Sequence, residues 1–413
     1  MISTLMIIYS LLFPLYVLGI CLASPFSKKV RMLISGHCRI YSTLRKEVDT
    51  DAAYLWFHAS SLGEFEAGRP LLEKIRKSYP DYKILLTFFS PSGYELCKNY
   101  EYADTICYMP FDFGFSIRRF IKMVPIRKAY FIRYEFWPRT LRILKKQGIE
   151  VFSVSSVFRK GQFFFSVFGG FYRKCLRDFT YLFVQDRTSK DLLYGIGIKN
   201  VTVTGDTRID RVIEIASASA PQPLVEKFAG DGLVCMAGSS WPSDEVVFIP
   251  YFLNNRNWKL VIAPHVISES HLQEIEGRLK GMRTLRLSAA DDDNISDAEV
   301  LIIDCFGLLS SIYRYANVAF IGGGFIDGIH NVLEAAVYNV PTVFGPNHQE
   351  FHEAGELIDL GGAFVVDGTD SFRLLMDKFV SDRRYLENSG QAAGEYVNSN
   401  KGTTERILQE LGL

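Results

Sequence analysis

Tyr54-Leu55-Trp56-Phe57-His58-Ala59-Ser60-Ser61-Leu62-Gly63-Glu64 changes character halfway along its length. The first residues, to His58, are an aromatic and aliphatic run of the kind that forms a strand. His58 to Glu64 follow directly and open a helix, whose apolar residues recur at helical spacing, as in Leu71, Leu72 and Ile75. A loop so placed lies at the carboxyl end of its strand, where ligands collect in open α/β sheets. Glu64 falls in or near the first turn, and Pro70 is close enough to the start to be tolerated. A carboxylate there can take a proton from a hydroxyl as a general base. It can equally do no more than favour the positive end of the helix dipole.

The same alternation extends outward on both sides. Lys83-Thr87, Thr105-Tyr108, Lys128-Ile132, Val151-Val154, Tyr181-Val184 and Val201-Val203 read as further strands separated by helical patterns. Strand and helix in turn imply a parallel sheet covered on both faces. The series stops at Gly205-Asp206, and Ala216 to Pro223 has the composition of a linker. A second series follows: Leu233-Ala237, Lys259-Ala263, Val300-Ile303, Val318-Ile321, Thr342-Phe344 and Ala363-Val366. The expected fold class is therefore α/β, with two doubly wound, Rossmann-like domains at 47–215 and 224–395 facing a cleft. A helix is expected at 396–413.

The bulk composition limits what such a chain does. At 413 residues it is too long for one ordinary core. Forty-six basic residues balance forty-six acidic ones, so no surface for nucleic acid is implied overall. The seven cysteines are odd in number and contain no CxxC pair, which suggests neither a disulfide framework nor a zinc site. Met1 to Pro25 carries no charge, and Leu5 to Leu22 is nearly all apolar. That is about the length needed to cross a bilayer. Lys28, Lys29 and Arg31 follow at once and place the rest of the chain in the cytoplasm. A membrane anchor at 1–25 is expected, spanning the bilayer or, given Pro14, lying in its interface; a signal peptide and a buried helix are the alternatives.

Several glycine-bearing loops end strands of the second series. Gly322-Gly323-Gly324 follows one strand, and His330-Asn331 is expected to open a helix carrying Glu334 on the same face as His330. Glycines let backbone approach a ligand, and free N–H groups at a helix start favour phosphate. A tight turn with Asn331 as a cap is the plainer reading. Gly238-Ser239-Ser240 ends another strand, its serines suited to capping or to a phosphate. Gly345-Pro346-Asn347 completes the set on one edge of one sheet, which makes this domain look like a nucleotide site. Neither GxxxxGK[ST] nor GxGxxG spacing is present.

Other features read more plainly. Arg133 and Glu135 are expected to line the cleft, with Trp137 and Pro138 packing and starting a helix. His265 and His271 have no third ligand at metal spacing, and Asp291-Asp293 reads as a solvated loop. The aromatic run Phe163-Phe165, Phe168, Phe171 and Tyr172, interleaved with Arg159, Lys160, Arg173 and Lys174, suits either a buried helix face or a lipid contact.

Taken together these segments resemble the 3-deoxy-D-manno-octulosonic acid (Kdo) transferases of lipopolysaccharide and lipid A biosynthesis. The resemblance rests on HASSLGEF at 58–65, TFFSPSG at 87–93, EFWP at 135–138, TGDTRID at 204–210, AGSS at 237–240, FIGGGF with GIHNVLEAA at 320–336, and GPNHQEF at 345–351. It implies a GT-B fold and a transferase that moves Kdo from CMP-Kdo, with inversion, to a 6-hydroxyl of the lipid A precursor (lipid IVA). It places the general base at Glu64. The donor site maps to Gly238, Ser239, Ser240, His265, Gly322, Gly323, His330, Asn331 and Glu334. Acceptor contacts map to Ser60, Ser61, Gly63, Ser92, Gly93, Arg133 and Glu135. The implied setting is the cytoplasmic side of a bacterial inner membrane, with CMP-Kdo, the lipid A precursor and the bilayer as partners. No cofactor and no metal are expected, since helix ends and polar side chains can stabilise a leaving group with one phosphate.

Three positions depart from the pattern: Arg133 where many members have Glu, Pro264 where many have Arg, and Trp241 where many have His. Two other functions fit the residues alone. One is a GT-B transferase using another sugar nucleotide; the other is a silent membrane protein that binds lipid or sugar nucleotide.

Overall fold

The computed structural model describes residues 4–167 and 169–412. Met1 to Ser3 of the expected anchor, Phe168 of the aromatic run and Leu413 lie outside the described residues. The chain divides into two units, residues 1–211 with 402–413, and residues 212–401.

The first unit is built on seven strands: β1 (Tyr54–Ala59), β2 (Lys83–Phe88), β3 (Thr105–Tyr108), β4 (Ile126–Ile132), β5 (Glu150–Ser156), β6 (Tyr181–Val184) and β7 (Val201–Val203). They pair in the order β3-β2-β1-β4-β5-β6-β7, all parallel. Every residue of β1 is buried, as a strand covered on both faces demands. One face packs Trp56, Leu85, Phe120 and Phe131; the other packs Phe57, Leu71, Ile75 and Tyr130. Each such fully buried side chain contributes about 1.5–3 kcal/mol relative to leaving it in water. The order reverses between β1 and β4, so the crevice of a doubly wound sheet opens beyond the ends of those two strands.

The second unit repeats the design with β8 (Leu233–Ser240), β9 (Trp258–Pro264), β10 (Thr284–Arg286), β11 (Val300–Ile302), β12 (Val318–Ile321), β13 (Thr342–Phe344) and β14 (Ala363–Val365). Their order is β10-β11-β9-β8-β12-β13-β14, again parallel. Here the reversal falls between β8 and β12, whose ends carry Gly238 and Ile321 in register. Strand β10 was not expected from the sequence. It is an edge strand of three residues, all only partly buried, and Leu285 is its single apolar side chain.

Three expectations about the connections are corrected. The linker-like stretch begins inside a helix, Thr207–Ala218, because alanine and serine tolerate that conformation; the boundary between the units lies within this helix as well. Instead of one helix over 396–413 there are two, Arg383–Ser399 and Thr403–Glu410. Gly402 separates them at φ 84°, a left-handed conformation suited to glycine. The second of these helices returns to the first unit, where Ile407 and Leu408 join the core and Asp210 accepts from Gly402 N and Thr404 N.

The amino-terminal segment forms α1 (Thr4–Ala23), followed by α2 (Lys28–Glu47), which Ser27 caps. Among the described residues no helix is long and apolar enough to cross a membrane. Instead α1 lies against the first unit. Tyr9 Oη donates to Asp112 Oδ2 at 2.8 Å, Arg139 donates to Ser10 Oγ at 2.7 Å, and the buried Phe13 packs on Phe113. The far side of α1 leaves Leu11, Leu12, Leu15, Leu18 and Leu22 exposed.

Candidate functional site

In the first unit α3 (Leu62–Ser78) starts immediately beyond β1, with Ser61 at its cap position and Glu64 in its first turn. The Ser61 hydroxyl donates to the Glu64 carboxylate, which orients it at the sheet edge. Gly63 is exposed, and a side chain there would meet nothing nearer than Ser61 Oγ at 3.9 Å. Ser60 holds the neighbouring loop, its carbonyl accepting from Phe89 N and Ser90 N. Ser92 and Gly93 sit in the helix Pro91–Cys97 that follows β2; Ser92 shares a hydrogen bond with Ser90, while Gly93 gives room to the Phe88 ring.

Glu135 does not line a cleft as expected. It is buried, because its carboxylate serves a hydrogen-bond network inside the sheet edge. His58 Nε2 lies 3.1 Å from Glu135 Oε2, and Trp137 Nε1 donates to the same oxygen at 2.6 Å. On the other side His58 Nδ1 meets Thr87 Oγ1 at 2.9 Å, which also accepts from Trp56 Nε1. Burial pushes the Glu135 carboxyl up, but hydrogen bonds from His58, Trp137 and Ser60 and the charge of His58 outweigh it and hold it below the usual carboxylate range. This network was not read from the sequence, although His58 and Glu135 both stood in matched segments. Arg133, at the end of β4, is held at φ 62° by bonds from its N–H to Val154 O and to its own carbonyl from Ser156 Oγ. Such backbone in a non-glycine residue is strained and clusters at functional edges. Its guanidinium lies over the Tyr134 ring and helps hold the buried Asp206 ionised, after Arg208.

The second unit presents close-packed backbone at the same edge. An added Cβ on Gly238 would overlap the Tyr313 hydroxyl, and one on Gly322 would overlap the Ser239 carbonyl. Ser239 stands at φ 53° and Gly323 at φ 93°. The buried Asp244, at the start of the helix Pro242–Asn254, joins these pieces: its Oδ2 accepts from Trp241 N and Gly323 N, both at 2.9 Å. Burial raises the Asp244 carboxyl despite these donors. An acid shortly after Trp241-Pro242 is a recognisable cap; nothing local links it to Gly323.

Two of the expected donor residues have other employment. Ser240 is buried and donates to Glu245 Oε1 at 3.0 Å, the partner also of His271 Nε2. His271 is thus a satisfied core histidine. Asn331 closes a turn: its Oδ1 accepts from Leu333 N and its Nδ2 donates to Glu334 Oε1 at 3.2 Å. The helix expected to open at His330-Asn331 is therefore one turn, Leu333–Ala336, and His330 shares no helix face with Glu334.

His330 and His265 do come together. Their rings stack with centroids 4.6 Å apart, and His265 stacks on Trp241 at the same distance. Trp241 Nε1 donates to His330 Nε2 at 3.4 Å. Burial lowers His265, and burial with the neighbouring His265 lowers His330 to about 4, so both imidazoles are neutral at pH 7. The N–H of a neutral imidazole at a strand-end crevice can donate to a single anionic group. Among the described residues no group of three His, Cys, Asp or Glu side chains is placed to hold a metal ion. The aromatic run mostly packs inward: Phe164 and Phe165 contact Phe158, and Arg173 donates to the Phe164 and Ser166 carbonyls.

The model of the 3-deoxy-D-manno-octulosonic-acid transferase (kdotransferase) family matches residues 36–211. A 3-deoxy-D-manno-octulosonic acid transferase of Aquifex aeolicus is 24% identical over 356 residues, 83% of this chain and 91% of that protein. The protein of the same name from Rickettsia felis is 24% identical over 385 residues, covering 89% and 81%. Among solved structures, the UDP-GlcNAc 2-epimerase of Neisseria meningitidis bound to UDP-GlcNAc aligns with a TM-score of 0.64 at 15% identity, over 87% of this chain and 99% of that one. The two parallel α/β units are thus of the GT-B kind.

Proposed function

We propose that this chain, an enzyme of the Kdo transferase type, transfers Kdo from CMP-Kdo to the 6-hydroxyl of a lipid A precursor with inversion at the anomeric carbon. The observation that carries the reading is the division of chemistry between the two sheet crevices. One offers an oriented carboxylate, Glu64, and the other a close-packed glycine-bearing turn at Gly238, Ser239, Gly322 and Gly323 with the His330 ring seated on it.

In this mechanism Glu64 takes the proton of the acceptor hydroxyl as its oxygen attacks the anomeric carbon of Kdo. The new carbon–oxygen bond forms as the bond to the CMP phosphate breaks. The electron pair leaves on CMP, whose phosphate is met by His330 at the glycine-bearing turn. No cofactor or metal is needed for these steps. The acceptor's sugar is held beside Ser60, Ser61, Gly63 and Arg133. The setting is a bacterial inner-membrane surface on the cytoplasmic side, with the exposed leucines of α1 seated in the lipid interface; the docking of α1 on the first unit through Tyr9 and Ser10 supports this placement.

The test is transfer from freshly generated CMP-Kdo to a tetra-acylated lipid A precursor without added metal, read by mass spectrometry. A product heavier by one or more Kdo units is expected. No product from folded protein, beside an active relative, would overturn the assignment of donor and acceptor.

A further inference from the structure

We propose that Trp241 is a positioning residue that fixes the tautomer of His330, so that Nδ1–H is the one hydrogen-bond donor this ring offers to the phosphate of the sugar nucleotide. The inference rests on the donor-site reading above and deepens it.

A neutral imidazole has one N–H and one bare nitrogen, and which is which follows from the partner each nitrogen meets. An indole N–H donates only. Since Trp241 Nε1 reaches His330 Nε2, that nitrogen accepts, and the ring proton resides on Nδ1. No described residue hydrogen-bonds His330 Nδ1, and that atom is not among the buried polar atoms left without a partner, so it faces solvent. Cδ2 of the same ring lies against Gly323, which seats the imidazole on the glycine loop.

The indole is itself held at both ends. The backbone N–H of Trp241 is bound by Asp244 Oδ2, the same atom that grips Gly323 N, so one carboxylate positions both the indole and the loop beneath His330. The His265 ring stacks on Trp241 and on His330 and restricts tilting of either. His265 also donates its backbone N–H to Ser240 O, next to Trp241 in the chain. Burial keeps His330 uncharged near neutrality, which Nε2 must be in order to accept. Without the indole N–H, nothing in the described surroundings selects Nδ1 over Nε2 for the proton.

The test measures the tautomer directly. In full-length protein labelled with 15N histidine, His330 is assigned through His330→Asn, and its ring shifts are recorded at pH 7.5. Protonated Nδ1 with bare Nε2 is expected; a proton on Nε2 in the unaltered protein would overturn the proposal without any variant. Trp241→Phe keeps an aromatic face and removes the donor, so the ring should move towards the Nε2–H form. The dissociation constant for CMP, the probe used, should rise about fivefold, the effect of one ordinary hydrogen bond. Trp241→His restores an N–H and should recover part of both effects. An unchanged His330 spectrum in folded Trp241→Phe would overturn the role of the indole. A changed tautomer with unchanged CMP affinity would overturn the placement of phosphate at His330 and leave the hold of Trp241 on the ring standing.

Discussion

His58 and Glu135 are 77 residues apart and form a buried pair at 3.1 Å, joining the ends of the two strands between which the first sheet reverses its order. The pair sits directly behind Ser60, which also hydrogen-bonds Glu135, and so braces the loop that presents Glu64. Removing His58 leaves the buried Glu135 carboxylate one hydrogen bond short, which costs about 1–3 kcal/mol. His58→Phe should lower unfolding stability by roughly that amount in urea titration. Because Glu135 is held below its ordinary value, its contribution is present above that value and lost as pH falls through the depressed one. The deficit of the variant should therefore shrink in strong acid.

In the proposed mechanism Glu64 carries the chemistry without carrying the fold. It is partly exposed, and its one described partner is the Ser61 hydroxyl. Glu64→Gln should reduce Kdo transfer by on the order of 10²–10⁴, the range for a general base. CMP binding and urea unfolding should both stay as they are. Near-normal turnover would remove Glu64 as the base.

Two glycines separate steric need from ligand need. Gly322→Ala drives a methyl into the Ser239 carbonyl and should cost about 1–3 kcal/mol of stability along with CMP binding. Gly63→Ala has open space and lies in a helix, so stability should rise by about 0.5–1 kcal/mol. Kdo transfer should nevertheless fall, because the added methyl stands where the proposed function places the acceptor. Unchanged transfer by Gly63→Ala would move the acceptor away from this turn.

His37, on α2, predicts a pH response. Its ring stacks on Phe111 with centroids 4.0 Å apart, and its Nε2 is buried without a partner. Burial lowers it to about 4, against smaller upward pulls from backbone groups of Leu33 and Met109. A depressed histidine contributes stability above its unfolded value near 6.5 and loses it as pH falls towards 4. His37→Phe keeps the stack and should flatten the fall in urea midpoint between pH 6.5 and 4. An unchanged slope would place the acid sensitivity elsewhere.

The exposed side of α1 tests the proposed contact with lipid. Replacing Leu11, Leu15 and Leu22 together by Ser leaves Tyr9, Ser10 and Phe13 in their contacts with the first unit. The triple variant should remain folded and shift from the membrane pellet to the supernatant after lysis. Continued sedimentation with membranes would assign attachment to another surface.

Much of this architecture is legible residue by residue, because a helix or strand repeats its apolar pattern over a few neighbours. Among the described residues thirteen of the fourteen strands carry that pattern, and Thr284–Arg286 escapes because it holds a single apolar residue, Leu285, and none of its residues is buried. The glycine loops at 238 and 322–324 are visible for the same local reason. What they enclose is not visible: Ser240 turns inward to Glu245, and Asn331 spends its side chain on a single turn.

Sequence alone thus determined the two-sheet α/β class, the loops at strand ends and the likeness to Kdo transferases, since each rests on short-range spacing or on matched segments. Only the tertiary structure decided which strands are neighbours, and with that the pairing of His58 with Glu135, the grip of Asp244 on Gly323, the contact of Trp241 with His330 and the docking of Tyr9 on Asp112. These partners lie from 77 to 103 residues apart, and no local preference encodes a contact over that distance. They meet because burying both faces of a parallel sheet leaves the crossover helices few places to pack, and strand order then dictates which polar groups share an edge.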